Sequence, residues 1–394
     1  MTLCTKEQIV FIEYQKERDC LFFLGAGASY SDGVPLQKDI VPEILSPKDE
    51  DFEKSELRKI VSKFISDNFS YSQEAESYPS LETLFSYIDY FIDNEVALNK
   101  DYTIEKLRLL KESLIKLIYF ITSKSAKSPL GKYEREKNGR ENDSVYSFLW
   151  ERAIETNRNF SIITTNYDNQ IDDAFDKWVY AKHGLIDYCI DFLNYTKEEG
   201  LIGFDWWVNP REPIPDWSDC DPKPIKLIKL HGSLNWKYCN CCSQPILTPW
   251  NKHIDLDTGE FPRFDPSWMG EIDSANLCPR DGYPLSTMIV PPTHSKILKH
   301  PVVQNLIYEA QKEIRSANKI VFVGYSFPDA DIHIKAIFSK NMKEDVKVYV
   351  VDPYLTENTR QAYRGLSSKV EFIEERFQEA LDKGLLESVV GKSA

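Results

Sequence analysis

Cys20-Leu-Phe-Phe-Leu24, running directly into Gly25-Ala-Gly-Ala-Ser29, decides the fold. A short apolar run that ends at a glycine turn reads as a strand buried on both faces. Strands of that kind belong to parallel sheets, whose faces are covered by helices. The same character returns at Phe160-Ser-Ile-Ile-Thr164, Ile225-Lys-Leu-Ile-Lys-Leu230, Ile320-Val-Phe-Val323 and Val346-Lys-Val-Tyr-Val-Val351. A helical pattern precedes the fourth of these five strands, with apolar positions Val303, Leu306, Ile307, Ala310 and Ile314 and with Pro301 near its first turn. Strands alternating with helices predict an α/β protein built on a doubly wound parallel sheet, whose ligands bind at the carboxyl ends of the strands.

After Pro35 the period changes. Leu57, Ile60, Val61, Phe64 and Ile65, then Leu81, Leu84, Phe85, Ile88 and Ile92, then Ile104, Leu107, Leu110, Leu114, Leu117 and Ile121 follow helical spacing. A chain of 394 residues is long enough for a second module. We therefore expect a helical insertion over residues 45–150 and a sheet domain made of residues 1–44 and 151–394.

A net charge of −14 argues against a broad nucleic-acid surface, because phosphate neutralisation needs clustered Lys and Arg. No apolar run approaches the roughly 20 residues of a membrane helix. Residues 1–20 scatter charges where a secretory leader would place an apolar block, so a cytoplasmic protein is expected. Eight cysteines are too few for a disulfide scaffold, and Cys239, Cys241 and Cys242 crowd together as metal ligands do.

Three strand-end turns carry polar chemistry. Gly25-Ala-Gly27 suits a pyrophosphate, since residues without side chains let phosphate oxygens reach backbone amides, but such a turn also serves structure alone. The hydride-transfer fingerprint wants a third glycine at position 30, which is Tyr30. In Thr164-Thr-Asn-Tyr-Asp168, Asn166 and Asp168 either face a crevice or cap a helix through an Asx turn. In Leu230-His-Gly-Ser-Leu-Asn-Trp236, His231 is either a proton carrier, suited by a pKa near neutrality, or a hydrogen-bonded structural histidine.

Taken in order, Gly25-Ala-Gly-Ala-Ser29 with Asp32-Gly-Val-Pro35, then Thr165-Asn-Tyr-Asp168, His231-Gly232 and Gly324-Tyr-Ser326 resemble the sirtuin family. The resemblance covers about residues 17–35 and 158–380 and implies a Rossmann-like catalytic domain that binds NAD. It implies phosphate and ribose contacts at Gly25, Ala26, Gly27, Ser29 and Thr165, a nicotinamide pocket lined by Asn166 and Asp168, and a general base at His231. Gly324, Ser326 and Asp352 resemble the positions that meet the adenosine half.

Protein-deacylating sirtuins carry Asp-Phe-Arg after the proline of the first turn, where this chain has Leu36, Gln37 and Lys38. Ile289-Val-Pro-Pro-Thr293 departs from their substrate groove as well. The pattern is closer to sirtuin-like proteins of prokaryotic anti-phage defence, which hydrolyse NAD to nicotinamide and ADP-ribose in abortive infection. That resemblance implies a homo-oligomer and a separate activating partner, such as an Argonaute or a HerA-type ATPase. A protein deacylase and a non-catalytic module that senses NAD or ADP-ribose are the alternatives.

Cys239-Asn-Cys-Cys242 and Cys278-Pro-Arg-Asp281 resemble the family's zinc ribbon, here expected over residues 237–288. Asp281 stands where the fourth cysteine is usual, and a carboxylate is an accepted zinc ligand. The other reading is a decayed ribbon whose thiols only pack.

Overall fold

The computed structural model describes residues 9–125, 144–156, 159–178, 184–193, 209–215, 223–247, 278, 280–290, 300–328 and 331–389. The chain begins with β1 (Ile9–Val10) and β2 (Cys20–Leu24), then α1 (Ala26–Tyr30), α2 (Gln37–Leu45), α3 (Glu50–Lys54), α4 (Glu56–Asn68), α5 (Leu81–Asp93) and α6 (Ile104–Ser125). Next come α7 (Val145–Thr156), β3 (Phe160–Thr164), α8 (Gln170–Trp178), β4 (Gly184–Asp187), β5 (Ile214–Pro215), β6 (Lys223–Lys229), β7 (Gly232–Cys239), β8 (Pro245–Leu247) and β9 (Leu285–Ile289). The last part alternates α9 (Pro301–Ser316), β10 (Lys319–Val323), α10 (Ile332–Asn341), β11 (Lys347–Val351), α11 (Glu357–Arg364), β12 (Val370–Ile373), α12 (Phe377–Asp382) and α13 (Leu385–Val389).

Seven parallel strands form the main sheet in the order β12-β11-β10-β2-β3-β6-β4. All five expected strands are in it. β2 lies in the middle with every residue from Cys20 to Leu24 fully buried, as its unbroken apolar run requires. Phe22 packs edge-on against Phe160 of β3, and Phe23 meets Phe322, Tyr325 and Phe338. Each such side chain taken from water contributes roughly 1.5–3 kcal/mol. The chain builds outward from β2 to β3, β4 and β6, then returns to build β10, β11 and β12 on the other side. The reversal falls between β2 and β10, the place where doubly wound sheets open a crevice.

Two strands of the sheet, β4 and β12, lie outside the five expected. Both are four residues long at the sheet's edges, and neither carries an apolar run distinct from its surroundings. The expected 230–236 turn is also much shorter than it looked: it closes at His231, and Gly232 already begins β7. β7 pairs antiparallel with β8 and β9 in a separate three-stranded sheet, and β1 pairs with β5.

Helices α2 to α6 gather a core of their own around Ile40, Phe64, Phe85, Leu107 and Leu114. Their starts follow capping rules: the side chains of Asp49, Ser55 and Ser80 accept from backbone N–H groups in the first turns of α3, α4 and α5. The expected helical stretch extends to 150, but residues 126–143 lie outside the described ones. No described helix is long and apolar enough to cross a membrane.

β6 carries two buried lysines, and each is neutralised by another element. Lys226 reaches Glu309 at 2.9 Å and Glu313 at 2.8 Å, both on α9; Arg211 joins Glu309 at 3.3 Å and Asp187 at 2.8 Å, and Arg18 joins Glu313 at 2.8 Å. Burial opposes ionisation of Glu309, but Lys226, Lys312 and Arg211 outweigh it and hold the carboxyl at about 2. A carboxylate held below its unfolded value, about 4.3, contributes stability that is complete above that value and lost as pH falls through about 2. Glu309→Gln should cost about 3 kcal/mol at neutral pH, as breaking a buried pair does. In urea titrations its stability should also fall less steeply than the parent's between pH 5 and 2; equal slopes would contradict the assignment.

Candidate functional site

The turns that follow β11, β10, β2, β3 and β6 stand side by side along the carboxyl edge of the sheet, and the backbone laces them in that order. Gly324 N–H donates to Val351 O at 3.0 Å, Gly25 N–H to Val323 O at 2.9 Å, Thr165 N–H to Leu24 O at 3.3 Å and Leu230 N–H to Thr164 O at 2.9 Å. Residues 25, 166, 231, 324 and 352, scattered over most of the chain, thereby share one rim.

The glycines of the first turn are required by packing as well. Gly25 has φ −98° and ψ −176°, an extended geometry open to any residue. What excludes a side chain is the neighbouring turn: a Cβ on Gly25 would lie 2.5 Å from Gly324 O, and one on Gly27 would lie 2.8 Å from Gly324 Cα. Gly27 N–H donates to Gly324 O at 2.9 Å. Gly324 itself has φ +57°, and a Cβ there would sit 2.4 Å from the Gly27 carbonyl carbon. The two turns approach backbone to backbone at the sheet's reversal point, and only glycine allows it. Ala26 and Ser326 are exposed at this rim, and Gly27 is half-buried.

Asn166 is held by that first turn. Its side-chain Nδ2 donates to Gly25 O at 2.8 Å and to Ser29 Oγ at 3.1 Å, which fixes the amide's rotation and turns Oδ1 the other way. Its own N–H donates to Thr164 Oγ1 at 3.0 Å. Thr165 is buried beside it. Asp168 lies one layer deeper: Oδ2 accepts from Ser29 Oγ at 3.0 Å, and Oδ1 accepts from Gln170 N–H at 3.1 Å, so the Asx reading of this loop is realised by Asp168 at the start of α8. Burial raises its pKa against the pull of Lys229. Lys229 Nζ donates to Asp168 O, Asp172 Oδ2 and Ser233 Oγ at 2.6–2.8 Å, clamping the β3 turn to the β6 turn.

Ser29 also bonds Tyr146 Oη on α7 at 2.7 Å. Helix α7 is anchored by Asp32, whose carboxylate accepts from Ser144 Oγ at 2.5 Å and Val145 N–H at 2.8 Å. Tyr146 has no local signal in the sequence, because nothing near it announces that α7 returns to the glycine turn. Burial and the nearby carboxylates of Asp168 and Asp32 raise the Tyr146 pKa well above the usual phenol, so Tyr146 is a hydrogen-bonding neutral group here.

His231 leaves β6 with its carbonyl accepting from Val290 N–H at 2.8 Å, next to Gly232 at φ +76°. Its Nε2 lies 3.3 Å from His333 Nε2, one ring donating and the other accepting, and 3.7 Å from Asp331 Oδ1. His333 and Asp331 open α10, and the sequence reading missed both; the signal was two of these groups within three residues, shortly after the Gly324-Tyr-Ser326 turn, in a chain with six histidines. Asp352 stands at the end of β11 and accepts from Tyr354 N–H at 2.8 Å.

The cysteine cluster is a second centre, on the small sheet. Ligand atoms of Cys239, Cys242, Cys278 and Asp281 all lie within 4.8 Å of one another. Cys242 Sγ and Cys278 Sγ are 3.7 Å apart, and Cys239 Sγ is 3.4 Å from each Asp281 oxygen. Thiolates on one tetrahedral zinc, with bonds of about 2.3 Å, would be roughly 3.8 Å apart, so the donor set fits that ion. Cys241 is exposed and outside the set. Residues 248–277 of the expected ribbon, and residues 291–293 of the altered groove, lie outside the described ones.

A family model for the SIR2-like domain matches residues 161–373. This chain belongs to that family. The matched stretch contains Asn166, Asp168, His231, the cysteine cluster and Gly324, while the glycine turn after β2 precedes it. Two solved structures are similar at 13% identity: one concerning sirtuin substrate affinity covers 95% of both chains with a TM-score of 0.41. The other, SIR2 with an inhibitor, 2'-O-acetyl-ADP-ribose and a deacetylated p53 peptide, covers 94% of both at 0.39. No curated protein matches the chain.

Because the SIR2-like rim rests on the contact between its two glycine turns, Gly324→Ala combines a left-handed backbone with a backbone clash. It should lower the unfolding free energy by about 3 kcal/mol or more. Ser326→Ala, two residues away but exposed, should stay within about 0.5 kcal/mol in the same urea titration. Equal stability of the two variants would contradict the packing described.

Proposed function

We propose that the chain binds NAD along the carboxyl edge of the sheet and hydrolyses its nicotinamide–ribose bond, releasing nicotinamide and ADP-ribose. The observation that carries this reading is the fixed amide of Asn166, held by Gly25 and Ser29 on the same rim as the imidazole of His231.

The chemistry asks for little beyond placement. The C1'–N bond breaks with its electron pair leaving on neutral nicotinamide, positive charge develops on the ribose, and a water oxygen bonds to C1' and loses a proton. Holding water and sugar in line lowers such a barrier by removing the entropy of encounter. Asn166 Oδ1 orients the ribose and the water, and His231 accepts the proton. Asp168 supports the nicotinamide pocket from beneath, through Ser29, and its buried carboxylate favours developing positive charge above it. The turns at Gly25–Ser29 and Thr165 hold phosphates and ribose, and those at Gly324, Ser326 and Asp352 hold the adenosine half.

Deacylation is the weaker reading. The positions of the deacylase triplet are occupied by the start of a helix, with Leu36 as the residue before α2 and Gln37 and Lys38 in its first turn. A sensing module would need neither a fixed amide nor an imidazole on the same rim. On this reading the enzyme depletes NAD in the cytoplasm as an anti-phage defence of the abortive kind. The helical module, taken as residues 45–150, serves self-association or docks a separate activator such as a HerA-type ATPase or an Argonaute; in support, its described helices up to Ile121 share a core apart from the sheet's, whereas Val145–Trp150 pack in the core of the sheet.

Purified protein incubated with NAD should release nicotinamide with or without acetylated peptide. Asn166→Ala and His231→Ala should each lower that rate at least about a hundredfold while keeping the parent's circular dichroism and melting temperature. Full turnover in either variant, or nicotinamide release that depends on acetylated peptide, would overturn the proposal.

We infer also that the cysteine cluster, within the 237–288 ribbon, holds a structural zinc ion through Cys239, Cys242, Cys278 and Asp281. Protein prepared without chelator should carry zinc that Cys239→Ser and Cys278→Ser lose, with a fall in melting temperature, since structural zinc contributes folding energy directly. Metal analysis showing wild-type protein near zero zinc would end this claim.

A further inference from the structure

The cleavage scheme uses His231 and leaves its two neighbours unexplained. His231 lies between β6 and β7, while Asp331 and His333 come from the start of α10, on the far side of β2 in the sheet. Ligand atoms of the three all lie within 4.8 Å of one another. The 3.3 Å separation of the two Nε2 atoms equals the edge of a zinc tetrahedron, roughly 3.3–3.4 Å for bonds of ~2.0–2.1 Å. Asp331 Oδ1 stands 3.7 Å from His231 Nε2, a small adjustment from the same geometry.

The supports match what metal sites need. Tyr325 Oη donates to Asp331 Oδ2 at 3.0 Å, which orients the carboxylate with Oδ1 on the histidine side. Asp331 N–H donates to Pro328 O at 2.8 Å, and the His231 carbonyl is fixed by Val290. The two rings are inclined by 34° with centroids 5.5 Å apart, and their Nε2 atoms face each other. Asp331 and His231 are buried, while His333 is half-buried and gives solvent access to the group. Two imidazoles and one carboxylate suit zinc-class ions over calcium or magnesium, and three protein ligands leave a fourth position open.

We propose that His231, His333 and Asp331 bind one zinc-class dication, at a site separate from the cysteine cluster. The consequence for activity rests on the function proposed above: a metal on Nε2 competes with a proton for the imidazole, so the loaded enzyme is silent and a chelator restores it.

Cobalt(II) added to the full chain reads the two sites apart. Nitrogen and oxygen ligands give visible d–d bands alone, whereas the cysteine cluster adds thiolate-to-metal charge transfer at higher energy. The parent should show a component without charge transfer, and His333→Ala should lose it, or bind it at least about tenfold more weakly, while keeping the thiolate bands and its circular dichroism. Unchanged cobalt binding in His333→Ala, or only thiolate-linked cobalt in the parent, would overturn the site. In parallel, about stoichiometric zinc should stop nicotinamide release from NAD by the parent, and His333→Ala should need at least about tenfold more. Cobalt bound as described with zinc-insensitive cleavage would refute the silencing role. A chain that never releases nicotinamide would refute the cleavage reading and leave the cobalt result to judge the site alone.

Discussion

The contact between two backbone turns, Gly25–Gly27 after β2 and Gly324 after β10, is the constraint on which the rest of the rim depends. At the point where a doubly wound sheet reverses direction, neighbouring strand ends normally diverge. Here they meet closely enough that neither turn has room for a methyl group. The first turn, so fixed, presents Gly25 O and Ser29 Oγ to Asn166, and the second sends the chain on through Tyr325 toward Asp331 and α10. A change in the glycine contact would therefore move both sides of the candidate site together.

Below that rim lies a layer of polar groups tied to one another. Ser29 connects Asn166, Asp168 and Tyr146; Lys229 connects the β3 turn to the start of β7; Lys226 and Arg18 tie the strand side to α9. Buried charges of this kind add little net stability compared with apolar packing, but removing one partner leaves the other stranded. Their effect is to fix the rotation and height of the rim groups. A site that works by placement needs that rigidity, because small displacements of an orienting amide are costly in rate.

The sequence made the sheet legible where strands were buried on both faces, since β2, β3, β10 and β11 are mostly apolar and β6 sets Ile225, Leu227 and Ile228 between its lysines. It failed at β4 and β12, which are short edge strands whose place is set by pairing with a neighbour. Of the rim, the residues that sit within a turn motif were readable: the glycines, Asn166, Asp168, His231 and Gly324. Tyr146, Lys229, Asp331 and His333 were not, because their importance comes from partners 57 to 117 positions away or from an element that had to fold back first.

By itself, then, the sequence determined that this chain is an α/β protein with polar turns at its strand ends, because apolar period and glycine placement are local properties of the chain. Only the tertiary structure decided why the glycines are there, which groups hold Asn166, and which face His231. Those are distances between segments remote in sequence, and close approach of two turns leaves no trace in the pattern of either one.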